Sequence, residues 1–379
     1  MRYRRFGKTN LKLSVFSLGT MRCFTDPSLL QEIITLGMNL GINHLETARG
    51  YGNSEKVLGD CLQRSLPLRR EEFYLTTKLS PTPDRRVMYE AIEESRQRLQ
   101  QDYIDCVAIH GVNTREHLQW LQDPHGSMSA LQSAQSKGII RHIGFSTHAP
   151  LEIILEAINT DLFDFVNLHY YLFWQRQAPA VALAAEKDLG IFIISPGDKG
   201  GMLYTPPPKL EQLCYPLSPL VLSYRFLLSD KRITTLSIGP ETPEELRQPL
   251  NQWNDRDGQL TEEEENILAG LAGELEKVLG SDRCSQCYQC LPCPENINIP
   301  EILRLRNVGL GYDMTDFAKY RYKMLENAGH WFPGSKGNRC TECGDCLPRC
   351  PEKLDIPRLL RDSHHSFNGS AGRRLWEDG

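Results

Sequence analysis

The sequence predicts an α/β chain: a (β/α)8 barrel followed by a small, mostly α-helical, cysteine-rich domain. Three observations predict it. Eight short apolar runs alternate with amphipathic segments between residue 13 and about residue 250. After Gly280 the composition turns abruptly to Cys, Pro and Arg. Beyond that point two cysteine runs, "CSQCYQCLPCPENINIP" and "CTECGDCLPRCPEKLDIP", follow one another with nearly the same spacing.

The apolar runs are "SVFSLGTM", "NHLETA", "FYLTTKL", "IDCVAIHGV", "RHIGFST", "FDFVNLHYYL", "GIFIISP" and "TTLSIGP". Between them, segments such as "LLQEIITLGMNLG" and "RVMYEAIEESRQRL" repeat apolar residues at intervals of three and four, as an amphipathic helix requires. Strand and helix alternating eight times read as a parallel sheet closed on itself, because each crossover helix must bury its apolar stripe against the sheet. The other candidate is an open doubly wound sheet, but no G-x-G-x-x-G follows the first strand. The acidic "TEEEE" at 261–265 opens a helical stretch and reads as a solvated helix N-terminus. The expected divisions are a barrel over 1–260, a helical connector over 261–280, the cysteine-rich domain over 281–362, and a polar, Gly-rich loose tail over 363–379.

A formal net charge of -5 without a basic run excludes a nucleic-acid or anionic-membrane surface. No stretch approaches the roughly 20 apolar residues of a membrane span, and no signal-peptide pattern opens the chain, so a cytoplasmic protein is expected. Twelve cysteines in that setting point to metal or redox chemistry rather than a disulfide framework.

In such a barrel the chemistry sits at the C-terminal strand ends. Glu46 ends the second strand, Tyr51 follows in its loop, Lys78 ends the third and His110 the fourth. Singly, each has a plainer reading as a solvated charge, a packed ring or a hydrogen-bonded filler. Together they make a proton donor. An ammonium beside a phenol stabilises its phenolate and lowers its pKa, and a carboxylate behind the lysine orients it.

With "YRRFGKTNLKLSVFSLGTM", "HLETARGYGNSEKVLG", "LTTKL", "DYIDCVAIHGV", "IGFST" and "ISPGDKGGML", residues 1–250 resemble the aldo/keto reductase family. The resemblance implies Tyr51 as general acid, Lys78 as the partner that lowers its pKa, Glu46 as the orienter of Lys78 in place of the usual Asp, and His110 as the group orienting a carbonyl. It implies NADP(H) or NAD(H) held by Ser146, by Asn167 where Gln is usual, and by Ser195, with Ile194 where an aromatic ring often stacks. Near the last barrel helix, "SIGPETPEELRQP" offers Arg247 as the only cation for a 2′-phosphate. The aromatic run with Tyr170, Tyr171 and Trp174 either lines a substrate pocket or packs at a strand end.

Cys284, Cys287 and Cys290, followed by Cys293-Pro294, form one run; Cys340, Cys343 and Cys346, followed by Cys350-Pro351, form the other. The second run fits the C-x2-C-x2-C-x3-C-P pattern of bacterial ferredoxins, and the first is one residue shorter before its last cysteine. Three such thiolates wrap one corner of a [4Fe-4S] cubane. In two-cluster ferredoxins the fourth cysteine serves the other cluster, so Cys350 would complete the first and Cys293 the second. Two zinc sites are the alternative. Cys23, Cys61, Cys106 and Cys214 are expected to be buried apolar residues. The long spacer between the runs fits a helical ferredoxin-like fold with an internal pseudo-twofold.

The function expected is an iron–sulfur oxidoreductase of aldo/keto reductase type, reducing a small carbonyl substrate with NAD(P)H and/or exchanging electrons with a partner such as ferredoxin. Hydride carries two electrons and a cluster one, so the clusters need a one-electron relay or a partner. The alternatives are an electron-transfer or docking subunit with a catalytically weak barrel, and a carbonyl reductase whose clusters are structural or sense redox state.

Overall fold

The structure, a computed structural model, describes residues 1–23, 25–253 and 258–369. All eight apolar runs are strands: β1 (Phe16–Gly19), β2 (His44–Glu46), β3 (Tyr74–Leu79), β4 (Ile104–His110), β5 (Ile140–Ser146), β6 (Phe165–Leu168), β7 (Gly190–Ile193) and β8 (Thr235–Ile238). Each pairs in parallel with the next, and β8 closes on β1 through Leu236↔Phe16 and Ile238↔Leu18. This is a (β/α)8 barrel. Several of its helices begin at a side-chain cap. Asp26 Oδ1 accepts from the amides of Ser28 (2.8 Å) and Leu29 (3.2 Å) to start Pro27–Asn39, and Asp84 does the same for Arg85–Leu99.

An N-terminal hairpin, Tyr3–Arg5 against Lys12–Ser14, precedes the barrel and was not expected. Its purpose is packing. Phe6 is fully buried, its ring 5.3 Å from that of Phe165, in a cluster with Leu13, Cys106, Ala108 and Phe192. A Cβ at Gly190 would strike the Phe6 ring, which accounts for the glycine there. Burying one such ring stabilises by about 1.5–3 kcal/mol. Arg4 fastens the hairpin by donating to the carbonyls of Leu228 (2.7 Å), Asp230 (3.1 Å) and Ile233 (2.6 Å).

The chain forms two compact units. Met1–Gly200 with Ser223–Gln259 makes the first, and Gly201–Leu222 with the described chain from Leu260 to Gly369 makes the second. Residues 201–222, expected within the barrel, belong to the second unit. Within the second unit, the helix Pro208–Cys214 of that segment meets the helix Glu262–Leu279, where Lys209 pairs with Glu274 at 2.9 Å. The acidic run does open a helix. Thr261 and Glu264 form a reciprocal capping box, Thr261 N to Glu264 Oε2 at 2.8 Å and Glu264 N to Thr261 Oγ1 at 3.2 Å.

The rest of the second unit is built on a repeat. Each cysteine run turns through left-handed residues at matching places, Gln286 (φ 61°) and Tyr288 (φ 62°) against Glu342 (φ 58°) and Gly344 (φ 83°). Each is followed by a capped helix, Ile299–Gly311 behind Asn298 and Ile356–Phe367 behind Asp355. The second helix runs into the stretch expected to be a loose tail, because Ser363 and Phe367 are buried on its apolar face. Residues 370–379 of that expected tail lie outside the described residues.

Candidate functional site

At the C-terminal end of the barrel, Glu46 and Lys78 are 5% and 1% exposed, so their ion pair is buried. Lys78 Nζ donates to Glu46 Oε2 and, at 2.9 Å, to the carbonyl of Thr47. Ser237 Oγ on β8 donates to Glu46 Oε1 at 2.6 Å. The extra methylene of Glu46 therefore does not break the pair. Burial pulls the Lys78 pKa down, but the Glu46 carboxylate and Tyr51 outweigh it and the net direction is up, so Lys78 is a cation.

Tyr51 sits in the turn after β2, held by Ser54 N to Tyr51 O at 2.9 Å and by a hydroxyl chain through Thr20, Ser54 and Thr47 at 2.6 and 2.8 Å. Lys78 Nζ lies 5.0 Å from the centre of its ring, and the His110 ring stands edge-on at 5.6 Å. The structure thus brings all four residues together. It corrects one expectation about them. Burial pushes the Tyr51 phenol up, Lys78 opposes this, and Glu46 adds to it, so the net direction is upward. The carboxylate that orients the lysine also opposes its field at the phenol. His110 is held well below its ordinary value by burial, then by Lys78 and Lys199, and is a neutral imidazole.

The expected cofactor residues divide. Ser146 ends β5, level with His110 and Asn167, and its Oγ accepts from Gly111 N at 3.1 Å. Asn167 on β6 is fully buried, and neither its amide nitrogen nor its amide oxygen has a hydrogen-bond partner in the protein. Such an orphaned pair is costly unless a ligand satisfies it, and a carboxamide offers the complementary donor and acceptor. A nicotinamide therefore fits the residues present. Ser195 follows β7 in a left-handed conformation (φ 52°). Arg247 is exposed on the helix Pro243–Gln252. The cation at that loop is instead Arg22, unnoticed in the sequence, which donates to the carbonyl of Gly239 (2.8 Å), Glu241 (3.1 Å) and Glu245 (3.1 Å).

A histidine pair was also missed. His148 and His169 meet Nε2 to Nε2 at 3.0 Å, and His169 Nδ1 contacts the Tyr171 hydroxyl. That hydroxyl donates to the carbonyl of Ile194 at 2.8 Å, so His169 Nδ1 is the donor to Tyr171 and His148 Nε2 the donor to His169. The only sequence signal was their place, each just beyond a strand end. Tyr170 and Tyr171 are 8% and 2% exposed, which is the packing reading; Tyr170 stacks on Phe226 at 6.2 Å.

In the second unit the eight thiols are free and fall into two groups. Cys293 lines one cleft together with Cys340, Cys343 and Cys346. The Cys284 thiol is raised first by burial and then by Cys287 and Cys350 beside it. Cys290 is pushed up to about 12 by burial and by its neighbouring thiols. Among the described residues no three His, Cys, Asp or Glu side chains converge as ligands of one ion. Thiols arranged around a cleft fit a cluster of several irons, whose cationic charge offsets the mutual repulsion of the thiolates. The four remaining cysteines are buried, as expected.

The aldo/keto reductase family profile matches residues 16–271. The chain belongs to the aldo/keto reductase family. Residues 283–354 match the profile of a 4Fe-4S dicluster domain. An uncharacterized oxidoreductase of Bacillus subtilis, YqkF, is 25% identical over 305 residues, 71% of this chain and 95% of that one. The L-glyceraldehyde 3-phosphate reductase of Escherichia coli K12 is 26% identical over 166 residues, 40% of this chain and 46% of that one. Among solved structures, the holo form of an aldo-keto reductase from Bacillus halodurans aligns with a TM-score of 0.61 at 23% identity, covering 71% of this chain and 95% of that one. A likeness at that identity speaks for the fold. With the two profiles, this family member is an iron–sulfur oxidoreductase of aldo/keto reductase type. No helix among the described residues is long and apolar enough to cross a membrane.

Proposed function

We propose that the protein reduces a small carbonyl compound at the barrel mouth with a reduced nicotinamide cofactor, and carries two [4Fe-4S] clusters that exchange electrons with a carrier such as ferredoxin in the cytoplasm. The observation that carries the reading is the convergence of Tyr51, His110 and the buried Lys78–Glu46 pair. When bound, the nicotinamide supplies a hydride to the carbonyl carbon. Neutral His110 donates a hydrogen bond to the carbonyl oxygen without competing for the proton. Tyr51 delivers that proton from Oη as charge grows on the oxygen, and Lys78 stabilises the phenolate left behind.

Asn167 and Ser146 would hold the carboxamide. Glu241 and Glu245, with Arg22 already engaged between them, favour NAD(H): a carboxylate accepts from a ribose 2′-hydroxyl and repels a 2′-phosphate. Cys284, Cys287, Cys290 and Cys350 would hold one cluster, and Cys340, Cys343, Cys346 and Cys293 the other.

Anaerobically purified protein tests the reading. It should bind about eight iron atoms, and should oxidise NADH faster than NADPH with one or more of a panel of aldehydes and ketones. Stoichiometric zinc in place of iron, or no binding of either nucleotide, would refute it.

A further inference from the structure

We infer that the two clusters are held at different reduction potentials, the one on Cys284, Cys287, Cys290 and Cys350 above the one on Cys340, Cys343, Cys346 and Cys293, and that Gln286 and Glu342 set the difference. The inference rests on the two-cluster reading proposed above. Cluster potentials follow from solvent access, hydrogen bonds to sulfur and nearby charge. The first of these does not separate the sites. Cys284 and Cys340 are half-buried, Cys287 and Cys343 exposed, Cys290 and Cys346 buried, and the two fourth cysteines half-buried.

Hydrogen bonding does separate them. Gln286 and Glu342 stand two residues after the first cysteine of each run, both in the left-handed conformation. Gln286 Nε2 donates to Cys284 Sγ at 3.3 Å and to the carbonyl of Pro300 at 3.1 Å, while Tyr288 Oη donates to Gln286 Oε1 at 3.4 Å. Those partners fix which end of the amide faces the sulfur. A donor on a ligand sulfur draws off charge and stabilises the cluster after it gains its electron. At the same place in the second run, the Glu342 carboxylate can only accept, and it faces Arg361.

Charge points the same way. Between its first three cysteines the first run carries Ser, Gln, Tyr and Gln, all neutral; the second carries Thr, Glu, Gly and Asp. Near the first run, Asp282 is shared by Arg306 (3.4 Å) and Arg358 (2.7 Å), while Arg358 also pairs with Asp355 (3.6 Å) and Asp362 (3.3 Å), so the charge difference rests on the runs themselves. At the second, Glu295 and Asp345 both line the cleft, and Arg349 beside them donates to the backbone carbonyls of Asp345 (2.8 Å) and Pro292 (2.9 Å). The first cluster therefore takes the first electron, and a one-electron carrier loads the pair in a fixed order.

The test is a potentiometric titration of the full-length, iron-loaded protein followed by electron paramagnetic resonance. Two separate one-electron steps are expected. Gln286→Glu should lower the upper step and leave the lower one in place, and Glu342→Gln should raise the lower step. Should Gln286→Glu fail to retain its iron, Gln286→Leu removes the donor without adding charge and should still lower the upper step. About eight irons titrating in a single step, or a Gln286 variant that moves the lower step or neither, would overturn the inference alone. About four irons would overturn the two-cluster reading and the inference with it.

Discussion

Glu46 accepts one hydrogen bond from Lys78 Nζ on β3 and another from Ser237 Oγ on β8, so that a single carboxylate on β2 ties three strands together at the barrel mouth. Removing one partner of a buried pair strands the other's charge, at a cost of about 3–5 kcal/mol. Glu46→Gln or Lys78→Met should lower unfolding stability by that amount, and a double Glu46→Met/Lys78→Met chain should recover most of it. The pH dependence has a definite side. Because the folded Lys78 pKa lies above its unfolded value near ~10.4, the pair's contribution is whole below that pH and fades only as pH rises through the folded value. Equal losses in the two single variants and the double would count against a coupled pair.

Tyr51→Phe keeps the ring that packs beside His110 and removes the proton donor. Carbonyl reduction should fall by about 10²–10⁴-fold while nucleotide affinity changes little. The check is steady-state turnover beside a fluorescence titration with NADH. Unaltered turnover would remove Tyr51 from the role proposed for it.

His44 lies inside the barrel, its Nδ1 2.6 Å from Ser17 Oγ and its Nε2 2.7 Å from Thr76 Oγ1. Burial, then Lys78, lowers its pKa to about 3. The stability of the neutral ring is present above the unfolded value near ~6.5 and is lost as pH falls toward the folded one. His110 shifts in the same direction. Thermal stability should fall steadily from about pH 6.5 to 4, and that of His44→Asn, with one titrating group fewer, should fall less.

What the sequence disclosed, and what it hid, follows from how local each signal is. All eight barrel strands were legible because every one is an apolar run bounded by an amphipathic helix. The four candidate residues stand out in the sequence because Glu46, Lys78 and His110 lie at or next to the end of such a run and Tyr51 lies in the loop after one. The hairpin was not: "YRR" and "KLS" show no apolar alternation, and only the burial of Phe6 reveals their place. The move of 201–222 into the second unit is a tertiary matter that no periodicity records. The upward direction at Tyr51 was hidden for a related reason, since a motif shows which charges are near and not how much water is missing.

Asn167 sets function against stability. Its two amide atoms are buried without protein partners, so Asn167→Leu, of similar size, should stabilise the ligand-free protein by about 1–3 kcal/mol. The same change should weaken nicotinamide binding, because the carboxamide loses its partner. Unfolding curves with and without NADH measure both effects. A destabilised apo protein with unchanged NADH affinity would show that Asn167 serves the core alone.

The last prediction concerns which cysteine closes which cluster. Cys293 follows the first run yet stands in the cleft of Cys340, Cys343 and Cys346, and Cys350 follows the second yet adjoins Cys284. The chain leaves each three-cysteine turn through a proline, which lacks a backbone donor and turns the fourth thiol away from its own run. Cys350→Ala should therefore damage the cluster on Cys284, Cys287 and Cys290, and Cys293→Ala the other. The unequal potentials give the readout, since the upper titration step should vanish in the first variant and the lower step in the second. Loss of the opposite step in each variant would mean that every run closes its own cluster.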